Sequence, residues 1–159
     1  MIKELAALQR KEVVYDLYSG TGSIGLYLAG EAGKVVGIEQ VEKAVEDARH
    51  NAGLNGFTNT FFETGTVEAL LSHDFLEKYG QPDIVVTDPP RAGMHPDVVK
   101  VLLEARPPVI IYVSCNPATQ ARDLQLLSEG YEIISLQPVD MFPQTWHIEN
   151  VALLHRKSA

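Results

Sequence analysis

Cys115 is the only cysteine in the 159 residues, and it stands where a strand should stop. The run Val109-Ile110-Ile111-Tyr112-Val113-Ser114 is short, apolar and rich in β-branched residues. It is entered through Pro107-Pro108 and left through Asn116-Pro117, the pattern of a buried strand followed by a turn. A thiol at the carboxyl end of a strand in an open α/β sheet faces the crevice where such folds bind ligands. The alternative is a structural thiol, because free cysteine is among the most buried residue types. On this stretch alone the structural reading leads.

Acids at the ends of other strands change that balance. Gly20-Thr21-Gly22-Ser23-Ile24-Gly25 follows a first strand and opens a helix, and Glu39 ends the next strand roughly 20 residues on, as a ribose ligand should. That much fits a nicotinamide dinucleotide as well as anything else. Asp16, just before the loop, decides between ligands. A carboxylate is awkward beside a pyrophosphate, but useful beside the amino group or sulfonium of S-adenosylmethionine. Asp88, ending the fourth strand, adds a third acid to the same rim. Singly each reads equally well as a loop acid capping a helix or lying solvated at a strand end. Together with the glycine loop they favour a cationic methyl donor.

Methyl transfer to oxygen or nitrogen needs no protein thiol, only positioning and a base. Methylation of C5 of a pyrimidine differs, because that carbon is a poor nucleophile until a thiolate adds to C6 and turns the ring into an enolate. A base must then remove the C5 proton before the thiolate is expelled. The segment Trp146-His147-Ile148-Glu149-Asn150 offers Glu149 as that base, with an exposed loop acid as the competing reading and His147 shaping the loop. Asn116 is a candidate to hydrogen-bond the thiolate or the uracil edge, although Asn-Pro is also a good turn former.

Seven strands and six helices would position these groups. The strands are expected at Val13–Leu17, Lys34–Glu39, Thr60–Glu63, Asp83–Asp88, Val109–Ser114, Tyr131–Leu136 and Val151–His155. The helices are expected over Met1–Glu12, from Ser23 to about Leu28, from Val41 to about Asn51, over Val67–Lys78, from Pro96 to about Ala105 and from Pro117 to about Ser128. Such alternation means an α/β domain with a mostly parallel sheet and helices on both faces. The last two strands lack an intervening helix, so an antiparallel pair is expected there.

A chain of this length makes one domain, here residues 1–159. No apolar run approaches a membrane span, and the amino terminus lacks a signal-peptide layout. One cysteine rules out an internal disulfide, a four-thiolate zinc site and an iron–sulfur cluster within the chain, so no metal is expected and a reducing cytosol is the expected compartment. A formal charge of −8 argues against a self-sufficient nucleic-acid binder and suits a cationic ligand.

Ser114-Cys115-Asn116-Pro117-Ala118-Thr119-Gln120-Ala121-Arg122-Asp123, preceded by Asp88-Pro89-Pro90-Arg91 and followed by Met141-Phe142-Pro143 and His147-Ile148-Glu149, resembles the RNA uracil-5 methyltransferases. Asp16-Leu17-Tyr18-Ser19-Gly20-Thr21-Gly22 looks like their cofactor loop, with Ser19 where many members carry a second, non-catalytic cysteine. The likeness covers nearly the whole chain. It implies a Rossmann-like S-adenosylmethionine-dependent fold, with Cys115 as nucleophile and Glu149 as base. It also implies Asp16, Tyr18, Gly20, Gly22, Ser23, Glu39, Thr66 and Asp88 around S-adenosylmethionine, and Arg91 and Asn116 toward the substrate. Family members carry an RNA-binding β-barrel, an RNA-contacting insert, in some cases an iron–sulfur cluster, and a glutamine-bearing segment that completes the cofactor pocket. None has a counterpart in these residues. The resemblance thus implies a catalytic domain from a longer polypeptide, expected as a monomer, with rRNA or tRNA held mainly by other regions. Rival readings are a methyltransferase acting on an exocyclic nitrogen, a non-catalytic cofactor-binding module and a nicotinamide oxidoreductase.

Overall fold

In the computed structural model, which describes residues 1–141 and 143–158, seven strands form one sheet. They are β1 (Val13–Leu17), β2 (Lys34–Glu39), β3 (Thr60–Thr64), β4 (Ile84–Thr87), β5 (Val109–Ser114), β6 (Tyr131–Val139) and β7 (Glu149–Arg156), in the spatial order β3-β2-β1-β4-β5-β7-β6. The first five pair in parallel, and β7 enters antiparallel between β5 and β6. This is the mostly parallel sheet with an antiparallel carboxyl-terminal strand that the sequence predicts.

The central strands are apolar on both sides, and their alternation feeds two cores. Val14, Val86, Ile111, Val151 and Leu153 pack against α1 (Ile2–Ala6) and α2 (Ser23–Ala29). Tyr15, Leu17, Val85, Ile110, Tyr112 and Leu154 pack on the other face against α4 (Val67–Leu70), α5 (His73–Tyr79), α6 (Pro96–Ala105) and α7 (Pro117–Leu127). α3 (Glu42–Leu54) closes a smaller cluster in which Val45, Ala48 and Ala52 meet Phe62 of β3. Strands buried on both faces need this double helical cover.

Three expected boundaries are corrected. The first helix stops at Ala6, not near Glu12, with Ala7 left-handed at φ 46°. A helix this short gains little from its own hydrogen bonds. The following residues instead form a turn in which Glu12 accepts from the N–H groups of Gln9 and Lys11. The expected helix over Val67–Lys78 is two helices, because the Ser72 hydroxyl caps a new start by accepting from Phe75 N–H at 3.4 Å, the local competition serine offers a helix backbone. Finally, β6 and β7 are longer than expected, since Val139 still pairs with Glu149. The expected segment from Gln137 to Asn150 therefore shortens to what lies between Val139 and Glu149. Phe142 of that segment lies outside the described residues.

Candidate active site

The order of the strands reverses between β1 and β4, and the carboxyl ends of β1, β2, β4 and β5 face one crevice. Open α/β sheets bind ligands at such a switch point.

Beyond β1 the chain turns through Tyr18 at φ 62° and Gly22 at φ 82°. Gly22 is fixed by space as well as by dihedral, because a Cβ there would lie 2.9 Å from the Phe62 ring. The loop is held from two sides. Glu39 accepts from Gly20 N–H at 3.0 Å through one oxygen and from Val41 N–H at 2.9 Å through the other. Asp16 accepts from Gly25 N–H at 2.8 Å, within the first turn of α2, where a negative charge also suits the helix dipole.

Asp16 differs in placement from the expectation. It lies beneath the loop at 1 % exposure, against Gly25, where a Cβ would come within 2.9 Å of its carboxylate. The structure therefore makes it a support of the loop. Burial is the main cause that raises its pKa from 3.8 to about 7; the Gly25 N–H opposes, and the charges of Asp88 and Glu39 add to the rise. Between those two values the folded protein binds more protons than the unfolded chain, so this group's contribution makes stability fall as pH rises from about 4 to 7. Asp16→Asn keeps an acceptor for Gly25 and removes the titration. Paired denaturation curves should therefore show the variant gaining on the parent as pH rises across that window. A difference that stays flat with pH would remove Asp16 from the linkage.

Two recesses open along the crevice. One, of about 180 Å³, is lined by Tyr18, Glu39, Thr66 and His95, among others. Thr66 stands at the amino-terminal end of α4, and burial is the main cause that pushes the Tyr18 phenol up to about 12. The second, of about 480 Å³, is lined by Asp88, Cys115 and Glu149 together with Val113, Val139 and Val151. Ser23 is exposed at the start of α2, with its hydroxyl 3.5 Å from that of Thr21. It lines neither recess, and neither do Asp16, Gly20 or Gly22.

Sheet register explains why a thiol and a carboxylate share the larger recess. Val113 pairs with Val151 and Ser114 with Asn150, so one further step sets Cys115 opposite Glu149. Directly opposed side chains on one face of an antiparallel pair start roughly 5 Å apart at Cβ. Residues two apart share a face, which puts Val113, Cys115, Glu149 and Val151 on one wall. Asp88 completes it. Burial, then the negative charge of Glu149, raises the Asp88 pKa to about 6.

A polar clamp behind this pair was not foreseen. Gln120 is 1 % exposed and donates to Tyr112 C=O at 2.9 Å and to Asn150 C=O at 3.2 Å, while accepting from the Asn150 amide at 2.5 Å. It ties β5 to β7 through Tyr112, three residues before Cys115, and Asn150, next to Glu149. Asp123, fully buried, accepts from Met94 N–H and from the Tyr112 hydroxyl, and so fastens the segment after Asp88-Pro89-Pro90-Arg91 to the same strand. A glutamine and an aspartate three positions apart in an otherwise apolar helix face were the available signal.

Asn116 is likewise repositioned. Its side-chain oxygen caps α7 through Ala118 N–H, and its amide donates to Arg91 C=O, both at 3.1 Å. It thus joins two site loops. The Arg91 guanidinium lies 5.5 Å from the centre of the Trp146 ring, and Arg91 lines an outer mouth of about 270 Å³ with Cys115, Thr145, His147 and Glu149.

Among the described residues no helix is long and apolar enough to cross a membrane. One trio of metal-type side chains comes together among them, His73, Asp74 and Glu77, all exposed on α5 and lining neither recess of the crevice.

A family model described as tRNA (Uracil-5-)-methyltransferase matches residues 3–157. Proteins named as uncharacterized RNA methyltransferases from Bacteroides thetaiotaomicron and Enterococcus faecalis are 55 % and 54 % identical over 152 and 154 residues. Each match covers 96 % of this chain and 34 % of the relative. The chain thus spans about a third of the length of the curated relatives it matches. The Pyrococcus abyssi tRNA (uracil-54, C5)-methyltransferase, solved in complex with S-adenosyl-L-homocysteine, superposes with a TM-score of 0.82 at 40 % identity, over 96 % of this chain and 36 % of that one. An rRNA methylase from Streptococcus thermophilus superposes with a TM-score of 0.75 at 13 % identity, covering 99 % and 93 %, a likeness of fold alone.

Proposed function

Since the chain belongs to the tRNA (uracil-5-)-methyltransferase family, we propose that it methylates C5 of a uridine in RNA, with S-adenosylmethionine as donor and Cys115 as a transient covalent partner. One observation supports the reading above all: Cys115 and Glu149 line one recess, just beyond the last β5–β7 pair, Ser114 with Asn150.

The residues present fit the donor. Glu39 is fixed by two N–H groups and borders a recess with Tyr18 and Thr66, where unused carboxylate lone pairs would take a ribose diol. Asp88, in the adjoining recess, suits a cationic centre. When bound, S-adenosylmethionine supplies an activated methyl group on a positively charged sulfur.

The rest of the chemistry belongs to the chain. The Cys115 thiolate adds to C6, and the electron pair of the C5–C6 double bond moves onto C5 and the C4 oxygen. C5 thus becomes nucleophilic enough to take a methyl group. Arg91, at the mouth, is placed to stabilise the developing enolate charge. Glu149 then accepts the C5 proton, the double bond re-forms, and the Cys115–C6 bond breaks to return the thiolate. Gln120 and Asn116 hold these groups in place without touching the ring. The target uridine must leave its stack to reach Cys115. A cytosolic monomer working without a metal completes the proposal; the single cysteine fits a reducing compartment.

RNA carrying tritium at C5 of uridine tests the reading. We expect one tritium released to water for each methyl transferred. Methyl transfer without tritium release would put the methyl on nitrogen or oxygen and overturn the reading.

A further inference from the structure

Between β6 and β7, Trp146, the only tryptophan of the chain, is 80 % exposed. Tryptophan is highly buried on average, so an indole in water at this position calls for an explanation. It is not a stray side chain on an unstructured surface. The His147 ring lies 4.1 Å from it, centre to centre and tilted by 31°, and the Arg91 guanidinium stands 5.5 Å from its centre, close enough for a cation–π contact. Arg91 is itself anchored, because its carbonyl accepts from both Asn116 and Thr119. The residues on either side of Trp146, Thr145 and His147, line the outer mouth with Cys115 and Glu149. A braced aromatic ring, open to water, thus borders the passage to the thiol.

We propose that Trp146 is a stacking platform for the nucleobase adjacent to the target uridine. The inference rests on the uridine-methylating function proposed above and adds a subsite to it. When one uridine swings out toward Cys115, its neighbour in the strand loses a stacking partner, and exposed aromatic side chains are the usual replacement in single-stranded RNA recognition. Stacking also suits this chain electrostatically. With a net charge of −8 it gains little from phosphate contacts, whereas the face of a base carries no charge and meets an indole without a cluster of lysines. The Arg91 guanidinium supplies a local cation and braces the ring. Because every base has a π-face, the platform tolerates any flanking base.

As the only tryptophan, Trp146 reports on itself. The chain is incubated with S-adenosylmethionine and a short single-stranded RNA carrying 5-fluorouridine, which traps the covalent complex so that emission is read with the RNA held in place. We expect the trapped complex to show quenched tryptophan emission with normal flanking bases. With abasic flanks the emission should stay near that of the free chain. Trp146→Ala should slow adduct formation about tenfold or more with normal flanks, the range typical of one lost base–aromatic stack. It should make no difference with abasic flanks, and Trp146→Phe should restore most of the rate. An adduct that forms with unquenched emission, or with the same quenching on abasic flanks, overturns the platform and leaves the methylation reading intact. Failure to form any adduct in a preparation that methylates ordinary uridine overturns both.

Discussion

Cys115→Ala lowers 5-methyluridine formation by about four orders of magnitude or more, the scale expected when a covalent nucleophile is deleted from a site whose other groups act with it. The size follows from the reaction itself. Without a thiolate at C6, the C5 carbon is not nucleophilic, and no arrangement of acids in the crevice can replace that activation. The fold should survive the change, because Cys115 is only partly buried and lies just past the end of β5, whose neighbours are held by the Gln120 clamp. Radiolabelled methyl transfer, with a thermal melt of the same variant, separates loss of chemistry from loss of structure. Substantial methylation by a folded Cys115→Ala protein would return the cysteine to its structural reading.

Glu149→Gln produces a different defect, and a more informative one. The amide keeps the shape of the side chain, and the backbone of residue 149 still pairs with Val139, but it cannot accept the C5 proton. Addition and methyl transfer proceed, the Cys115–C6 bond cannot break, and turnover falls by about 10²- to 10⁴-fold, the usual worth of a general base. Ordinary uridine in RNA should therefore leave a methylated covalent complex that survives denaturing electrophoresis, where the parent protein leaves none. Asp88 is the rival base in the same recess. Its carboxyl is raised to about 6 by burial first and by the Glu149 charge second, so removing that charge lets it ionise somewhat more readily. Near-normal turnover by Glu149→Gln with no trapped complex would pass the role of base to Asp88.

How far these roles could be read from the sequence depended on whether the signal was local. The strands β1, β2, β4 and β5 are apolar runs with acids, serine or a turn at their ends, and their carboxyl ends were placed with the acids and the thiol they carry. Val139 and Glu149 are less legible, because a ladder that reaches them depends on cross-strand pairing that no local pattern encodes. Directions of side chains were also out of reach. Asp16 and Asn116 stand in the motifs expected of them, yet one turns under the glycine loop and the other bridges α7 to Arg91. Both are short polar side chains beside unsatisfied helix N–H groups, which compete with any ligand for them. The Gln120–Asn150 clamp joins residues 30 apart in the chain and emerges only once β7 lies beside β5. Helical spacing over a few residues carries no information about the Glu12 turn, so the expected first helix runs past Ala6, where the observed one stops.

The central claim is that the thiol of Cys115 bonds to C6 of the uridine being methylated. RNA bearing 5-fluorouridine tests it most directly, because fluorine cannot leave C5 as a proton does and the reaction must stop after methyl transfer. Intact mass measurement and peptide mapping should find one RNA-derived adduct per chain. The adduct should require S-adenosylmethionine, carry the transferred methyl and sit on the peptide containing Cys115. A preparation that methylates ordinary uridine yet forms no adduct with the fluorinated RNA, or whose adduct persists in Cys115→Ser, would contradict the account.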